Sequence, residues 1–538
     1  MRILLFWLLP WLLLAQEITL EFLKEKPEGI TRDFYIWQFL DQNITSSEAN
    51  EAYKLVYRNN AKLFGRYFKK SDNKTLSRRT ICERMSLSEL LKQEPKCIGY
   101  ALKLSDAAKM SKPDLQKLSK KLAIDAPTTA KHLEILASKE PLKNLLETNA
   151  TTFATLFEGV GQEYRLEQFN RFIPANVWEN LANQNDYKMG RMIQLIILNS
   201  AYVALQDSLS KVAGITNTDD RTLFYLGLNA LVHGQKENAL LYFSRAQTKA
   251  KDPLLITRAL FWRYLATGDK AILEEVAQSR HPNIYSIYAS QTLQKEPAFE
   301  IVRQVLPKDA PPSAPWDTKD PFAWLKIEEQ SKKSDSNLSA LPDSPLRYRN
   351  TESHLALIMQ REWRFQKHFF ITPYQEIFSQ FDPEKQALLY ALARQESHLI
   401  PTVVSTSYAL GMMQIMPFNV ESIAKNLGEH RELTDMFDPA LNVKYAEIFL
   451  RDLIREFSHP LFISYAYNGG PGFTRRLLAR GELFRRDRAL DPWYSLEMIP
   501  YEESRYYGSR VLTNYIIYQQ AFGKNLQIAD LLNETLIR

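Results

Sequence analysis

Leu223-Phe224-Tyr225-Leu226-Gly227-Leu228-Asn229-Ala230-Leu231-Val232-His233-Gly234 leads into Gln235-Lys236-Glu237-Asn238-Ala239-Leu240-Leu241-Tyr242-Phe243-Ser244-Arg245-Ala246. Two apolar runs of helical spacing flank a Gly-containing turn, which reads as a pair of antiparallel helices. Gly227, Ala239 and Ala246 are small where the two helices of a pair touch. Bulky residues such as Leu226 and Phe243 fill the gap between pairs. Leu260 and Gly268 each follow Leu226 and Gly234 by 34 residues, so part of the unit recurs.

These offsets are those of a tetratricopeptide-type repeat. One helix pair cannot bury its own apolar face and needs neighbours stacked on both sides. The pattern therefore predicts an α-solenoid over much of residues 16–295, with an irregular helical bundle as the alternative. Upstream, Thr45-x-x-Glu48 is a capping box that opens an amphipathic run through Tyr53, Val56 and Leu63. Strand signals are scarce. Between 296 and 345 the chain changes character. Pro307, Pro311, Pro312, Pro315 and Pro321 are expected to interrupt any helix, and Lys332-Lys333-Ser334-Asp335-Ser336-Asn337 is polar and loop-like. Helical pattern resumes around Glu352 and continues to the end. The fold class expected is all-α.

The 538 residues are 45% hydrophobic and 24% charged, which is ordinary globular composition. With 18 Gly and 26 Pro, collagen-like, mucin-like and wholly disordered readings are excluded. A net charge of +6 is too even for a dedicated nucleic-acid binder but suits an anionic polymer as substrate or neighbour.

The start, Met1-Arg2-Ile3-Leu4-Leu5-Phe6-Trp7-Leu8-Leu9-Pro10-Trp11-Leu12-Leu13-Leu14-Ala15, places one Arg before an apolar run that ends at a small residue. That is the pattern of a secretory signal peptide cut after Ala15. The run is short of the ~20 residues that span a bilayer, and an uncleaved interfacial anchor is the alternative. The mature protein is expected to be exported, with no stable membrane insertion after cleavage. Cys82 and Cys97 are the two cysteines, and in an oxidising compartment an even count favours a disulfide. Two separate buried thiols are the other reading. Three acidic-extended N-glycosylation sequons, at Asn43, Asn149 and Asn337, resemble those used by some bacterial oligosaccharyltransferases; coincidence is the alternative.

The chemistry concentrates near residue 396. Asp382-Pro383-Glu384 is a helix start, with Asp as N-cap and Pro in the first turn, and Pro401 is the expected stop. At about 100° per residue, Glu396 falls within about 20° of the azimuth of Leu389 and about 40° from Leu392. Glu396 thus lies on the apolar face at the helix C-terminus. Burial and the negative end of the helix dipole both disfavour a charged carboxylate there. A carboxyl that keeps its proton near neutral pH is what a general acid requires. The alternative is a Glu that reaches the surface from a frayed helix end.

Glu396-Ser397, Pro401, Ser405 and Ala409-Leu410-Gly411-Met412-Met413-Gln414-Ile415-Met416-Pro417 resemble the signature of the soluble lytic murein transglycosylases. Ala466-Tyr467-Asn468-Gly469-Gly470-Pro471-Gly472 is similar to that family's second motif, and Ile499-Pro500-Tyr501-Glu502-Glu503-Ser504-Arg505-Tyr506-Tyr507 to its third. Three motifs in order over more than a hundred residues are more specific than any one. The helical N-terminal region resembles the family's ring-forming superhelix, and Ile284-Tyr285-Ser286-Ile287-Tyr288-Ala289 is similar to a short family pattern. Two departures stand out. Met412 replaces the usual Leu, which conserves volume. Tyr408 stands where a small residue is expected, and its bulk could narrow the cleft.

The resemblance implies a signal peptide at 1–15, an α-superhelical domain at 16–295, a linker module at 296–366 and a goose-lysozyme-like transglycosylase domain at 367–538. It implies that Glu396 is the single catalytic acid/base, cleaving the MurNAc–GlcNAc β-1,4 bond of peptidoglycan without water and leaving 1,6-anhydro-MurNAc ends. Ser405, Gly411, Gln414, Met416, Tyr467, Asn468 and Glu503 match positions that line the cleft, Glu503 as a supporting carboxylate. Ser405 and Gln414 could hydrogen-bond the sugars, and Tyr467 could orient the site. Met412, Met413 and Met416 read as core filler ahead of ligand contacts. Trp493 and Tyr494 could stack on sugar faces or sit at a seam. No His-Glu-x-x-His run or Cys/His cluster is present, so neither metal nor cofactor is implied, and His398 reads as a surface or supporting residue. The protein is then a periplasmic monomer of a Gram-negative type of envelope, acting on glycan strands, with envelope proteins as conceivable partners and no nucleic acid. The alternatives are a hydrolytic muramidase of the same fold and a non-catalytic envelope scaffold.

Overall fold

A computed structural model describes residues 18–72, 77–333, 339 and 343–537. The signal segment and all but Ser339 of the Asn337 sequon lie outside them. The regular secondary structure of the described residues is helical, apart from strands Glu300–Val302 and Lys367–Phe369, which pair as a two-stranded sheet, and two isolated bridges. The all-α expectation is met. The described residues of Met1–Thr75, Ile301–Ile463 and Asn514–Lys524 form one compact unit, and those of Leu76–Glu300, Ser464–Thr513 and Asn525–Arg538 form another.

The second unit contains the repeat. Asp220–Val232 and Lys236–Lys249 form the expected helix pair, followed by Pro253–Thr267, Lys270–Ala277 and Ile284–Leu293. Local chemistry sets the boundaries. Asp219 caps Thr222, Pro253 takes the first turn after the Asp252 cap, and Gly234 (φ 76°) and Gly268 (φ 73°) adopt left-handed turns. A Cβ on Gly227 would meet the Phe243 ring at 2.7 Å. A glycine is therefore required for the two helices to approach. Cys82 and Cys97 form a disulfide between helices Arg78–Glu83 and Pro95–Ala101, with Cα atoms 5.5 Å apart and both residues fully buried.

The first unit opens with helices Leu20–Glu25, Ile30–Phe39, Ser46–Lys54 and Ala61–Lys70. The Thr45/Glu48 capping box is formed. The structure corrects the reading of the Pro-rich segment, and that of Lys332-Lys333, which end a helix and are not loop. Pro321 does not interrupt a helix; it begins one, Pro321–Lys333, because Asp320 accepts the Phe322 N–H as a cap and a proline at the first helical position loses no hydrogen bond. Trp324 and Ile327 from that helix pack with Leu346, Leu355, Ile358 and Ile400. Helices Glu352–Glu362, Pro383–Ser397, Pro417–Leu427 and Pro439–Phe457 complete the framework of the site.

Candidate active site

Asp382 accepts the Lys385 N–H at 2.9 Å and starts the helix that carries Glu396. Leu389 and Leu392 are fully buried, and Glu396, on the same side, is half-buried at the C-terminal end. The helix ends before Pro401 acts on it. His398 (φ 54°) and Leu399 (φ 67°) turn left-handed, and their N–H groups cap the Arg394 and Ala393 carbonyls. Arg394 pins this end further. Its Nε donates to the Phe369 carbonyl and its Nη1 to Asn514 Oδ1, both at 3.0 Å, while the guanidinium lies 3.9 Å from the Phe370 ring centroid. His398 is exposed.

Ser397, next to the carboxyl, donates to the Met412 carbonyl at 2.7 Å and so ties the helix end to the following loop. Antiparallel bridges Val404–Leu410 and Leu410–Ile415 fold that loop back on itself. Gly411 has φ 78°, and a Cβ there would meet the Met436 carbonyl oxygen at 2.2 Å. Only glycine fits. Gln414 donates through Nε2 to the Val403 carbonyl (3.0 Å) and the Gly411 carbonyl (2.7 Å). Its carboxamide oxygen is the part left to accept. Ser405 Oγ accepts the Ala409 N–H at 2.9 Å and the Ser407 N–H at 3.2 Å, which leaves its hydroxyl proton to donate. Met412 and Met413 are fully buried core filler; Met416 is half-buried at the N-terminal boundary of helix Pro417–Leu427.

Sequence reasoning missed Asn442. Fully buried on helix Pro439–Phe457, it accepts the Met413 N–H (2.7 Å) and donates to the Leu410 carbonyl (3.0 Å), so one carboxamide holds both sides of Gly411. Nothing in its surroundings in the sequence marks it.

The other motif residues belong to the second unit. Asn468 Nδ2 donates to Glu503 Oε1 at 3.4 Å, and Asn468 Oδ1 accepts from Ser504 at 2.8 Å, so the second and third motifs meet there. Glu503 is exposed and Tyr467 half-buried. A Cβ on Gly469 would meet the Phe473 ring at 2.7 Å. In the same unit lies Glu497, 2% exposed. It pairs with Arg258 (Nε at 2.9 Å) and accepts from Trp262 Nε1 (3.0 Å) and from the Tyr285 hydroxyl (2.7 Å). Tyr225 receives Arg258 Nη2 at 3.0 Å and also Arg505 of the third motif. Tyr285 of the Ile284–Ala289 pattern thus serves a buried carboxylate. Trp493 packs on Phe261, Tyr288 and Tyr285 with centroids 4.5–5.8 Å away, which answers the open question about it: it is buried packing and not a sugar platform. Among the described residues, no group of three His, Cys, Asp or Glu side chains could hold a metal ion, and no helix is long and apolar enough to cross a membrane.

Residues 379–485, which include the helix that closes on half-buried Glu396 and the glycine-dependent loop tied to it, match the transglycosylase SLT domain. Two curated relatives, the soluble lytic murein transglycosylases of Salmonella typhimurium and Escherichia coli, are each 29% identical over 175 and 174 residues, which is 31% of this chain. A putative soluble lytic murein transglycosylase of Haemophilus influenzae is 32% identical over 137 residues, 24% of this chain and 21% of its own length. Over these stretches the chain is similar to soluble lytic murein transglycosylases. The matched stretch spans 26% of the length of the Salmonella and Escherichia relatives. The crystal structure of the 70 kDa soluble lytic transglycosylase of Escherichia coli aligns with a TM-score of 0.48 at 17% identity, over 95% of this chain and 84% of that one.

Proposed function

We propose that this chain is a peptidoglycan lytic transglycosylase in which Glu396 is the acid and then the base. One observation carries the reading: the carboxyl predicted on the apolar face is half-buried at a helix end fixed by Arg394 and Ser397, beside the loop shaped by Gly411 and Gln414. Glu396 would protonate the oxygen that links N-acetylmuramic acid to N-acetylglucosamine, while oxocarbenium-like charge develops at the anomeric carbon. As a carboxylate it would then take the proton from the muramic C6 hydroxyl. That oxygen attacks the anomeric carbon internally and closes the 1,6-anhydro ring. An intramolecular nucleophile competes with water through its effective concentration. Between Ser397 and Val420 the sequence holds no Asp or Glu, whereas a retaining glycosidase needs a partner carboxyl about 5 Å away.

In this reading Ser405, Gln414 and Met416 contact the glycan beside Glu396 and Gly411 lets the loop approach, while Tyr467, Asn468 and Glu503 are proposed as binding residues of the second and third motifs. The region 16–295 is a superhelix, 296–366 a linker module and 367–538 a lysozyme-like domain. The protein acts as a monomer in the periplasm after signal cleavage. Mass spectrometry of products from purified murein tests the reaction. Anhydro ends are expected, one water lighter than reducing ends; reducing ends alone would make the protein a muramidase instead.

A further inference from the structure

Tyr408 is the residue whose bulk conflicts with the family pattern, and the structure gives it a task. It does not narrow a cleft: the side chain is fully buried. Its ring packs against Trp37 (centroids 5.3 Å apart) and Phe34 (6.0 Å), both on helix Ile30–Phe39 of the same compact unit. The neighbouring positions are held from the same side. Asn60 Nδ2 donates to the Thr406 carbonyl and Lys62 Nζ to the Ser407 carbonyl, each at 2.9 Å. Three consecutive loop residues are therefore gripped by the N-terminal helices.

The gripping side is itself braced. The Asp33 carboxylate, fully buried, accepts the Tyr57 and Arg58 N–H groups at 2.8 Å each, which fixes the turn before Asn60 to helix Ile30–Phe39. The Arg66 guanidinium stacks 3.6 Å from the Trp37 ring centroid and donates to the Trp37 carbonyl at 2.7 Å. Tyr408 also has φ 63°, a left-handed conformation that a large side chain rarely adopts. A residue kept in such a conformation by over-determined surroundings points to function. The turn it closes is that of Ser405. Tyr408 N–H donates to the Ser405 carbonyl at 2.8 Å, Ser405 N–H to the Ala409 carbonyl at 3.0 Å, and Ala409 N–H to Ser405 Oγ at 2.9 Å.

We propose that helices Ile30–Phe39 and Ala61–Lys70 form a clasp on the 405–409 turn, anchored by Tyr408, that fixes where the Ser405 hydroxyl meets an amino-sugar of the glycan strand. Tyr408 is a positioning residue, and the N-terminal helices are part of the substrate site. The inference rests on the transglycosylase reading for its ligand; the clasp itself does not.

The test uses the full chain and two readouts, the KM and kcat for purified murein glycan and the exchange rates of the Ala409 and Leu410 amides. Tyr408→Ala is expected to raise KM about tenfold, because a displaced positioning group weakens binding. It should leave kcat within about twofold, since Glu396 sits on a separately anchored helix end, and should speed both amides. Tyr408→Phe keeps the ring and restores both values. Should Tyr408→Ala fail to fold, Lys62→Ala removes one exposed strand of the clasp and is expected to shift both readouts in the same direction by a smaller factor. Unchanged KM, or unchanged exchange, in an active and folded variant overturns the proposal. If the wild-type chain releases no murein product, the transglycosylase reading falls instead, and amide exchange still decides whether the clasp exists.

Discussion

Asn442 and Glu497 are both hubs, one in each compact unit, and they hold their motifs by opposite chemistry. Asn442 is a neutral carboxamide that joins two backbone groups across Gly411. Glu497 is a carboxylate that gathers Arg258, Trp262 and Tyr285 in a buried network reaching Arg505 through Tyr225. The first arrangement shapes a loop within a short stretch of backbone. The second joins helices of the repeat to the third motif. A buried ion pair repays the desolvation of its charges only when every partner is present. A neutral hub is less exacting, since each of its bonds contributes only about 1 kcal/mol net.

That contrast can be broken by experiment. Glu497→Gln leaves the Arg258 charge buried without its counter-ion, and the expected loss of stability is about 3–5 kcal/mol by denaturant titration. Replacing both partners by apolar residues, Glu497→Leu with Arg258→Met, is expected to recover most of it. If the single substitution costs under about 1 kcal/mol, the pair is not the hub described. Asn442→Ala strands one N–H and one carbonyl and is expected to cost about 2–3 kcal/mol. A value matching that of Glu497→Gln would erase the distinction between the hubs.

A further effect expected is a pH dependence in the first unit. Burial pushes the Glu352 carboxyl up to about 7 from its ordinary 4.5, with a Val305 backbone hydrogen bond acting against it. Between those values the folded chain holds a proton there that the unfolded chain has released. Stability therefore falls as pH rises from about 4.5 to about 7, by at most roughly 1.4 kcal/mol per pH unit and by less where solvent reaches the group. Glu352→Gln should flatten this slope in unfolding midpoints measured across that window. An unchanged slope would assign the dependence to other groups.

Much of this was legible in the sequence where the signal was local. Asp382-Pro383 starts the helix that carries Glu396, the azimuth of Glu396 matches its half-burial, and the small residue at Gly227 marks where the two helices of a pair touch. The hubs and the clasp were not legible. Asn60 and Thr406 are 346 residues apart, and Arg258 and Glu497 are 239 apart. Glu497 in isolation reads as a surface residue of a short helix, and Asn442 as an ordinary helix polar. Tyr408 was visible only as a misfit, because Phe34 and Trp37, which accommodate it, carry no mark of the partnership. Pro321 misled for a different reason: the same residue stops a helix from inside and starts one from its first turn.

The central claim is that one carboxyl does the chemistry, and kcat for release of soluble fragments from purified murein by the full chain tests it most directly. Glu396→Gln keeps the size of the side chain and removes the exchangeable acid. The account predicts a fall of at least about a hundredfold with an unchanged melting temperature. Wild-type turnover by the folded variant would contradict it.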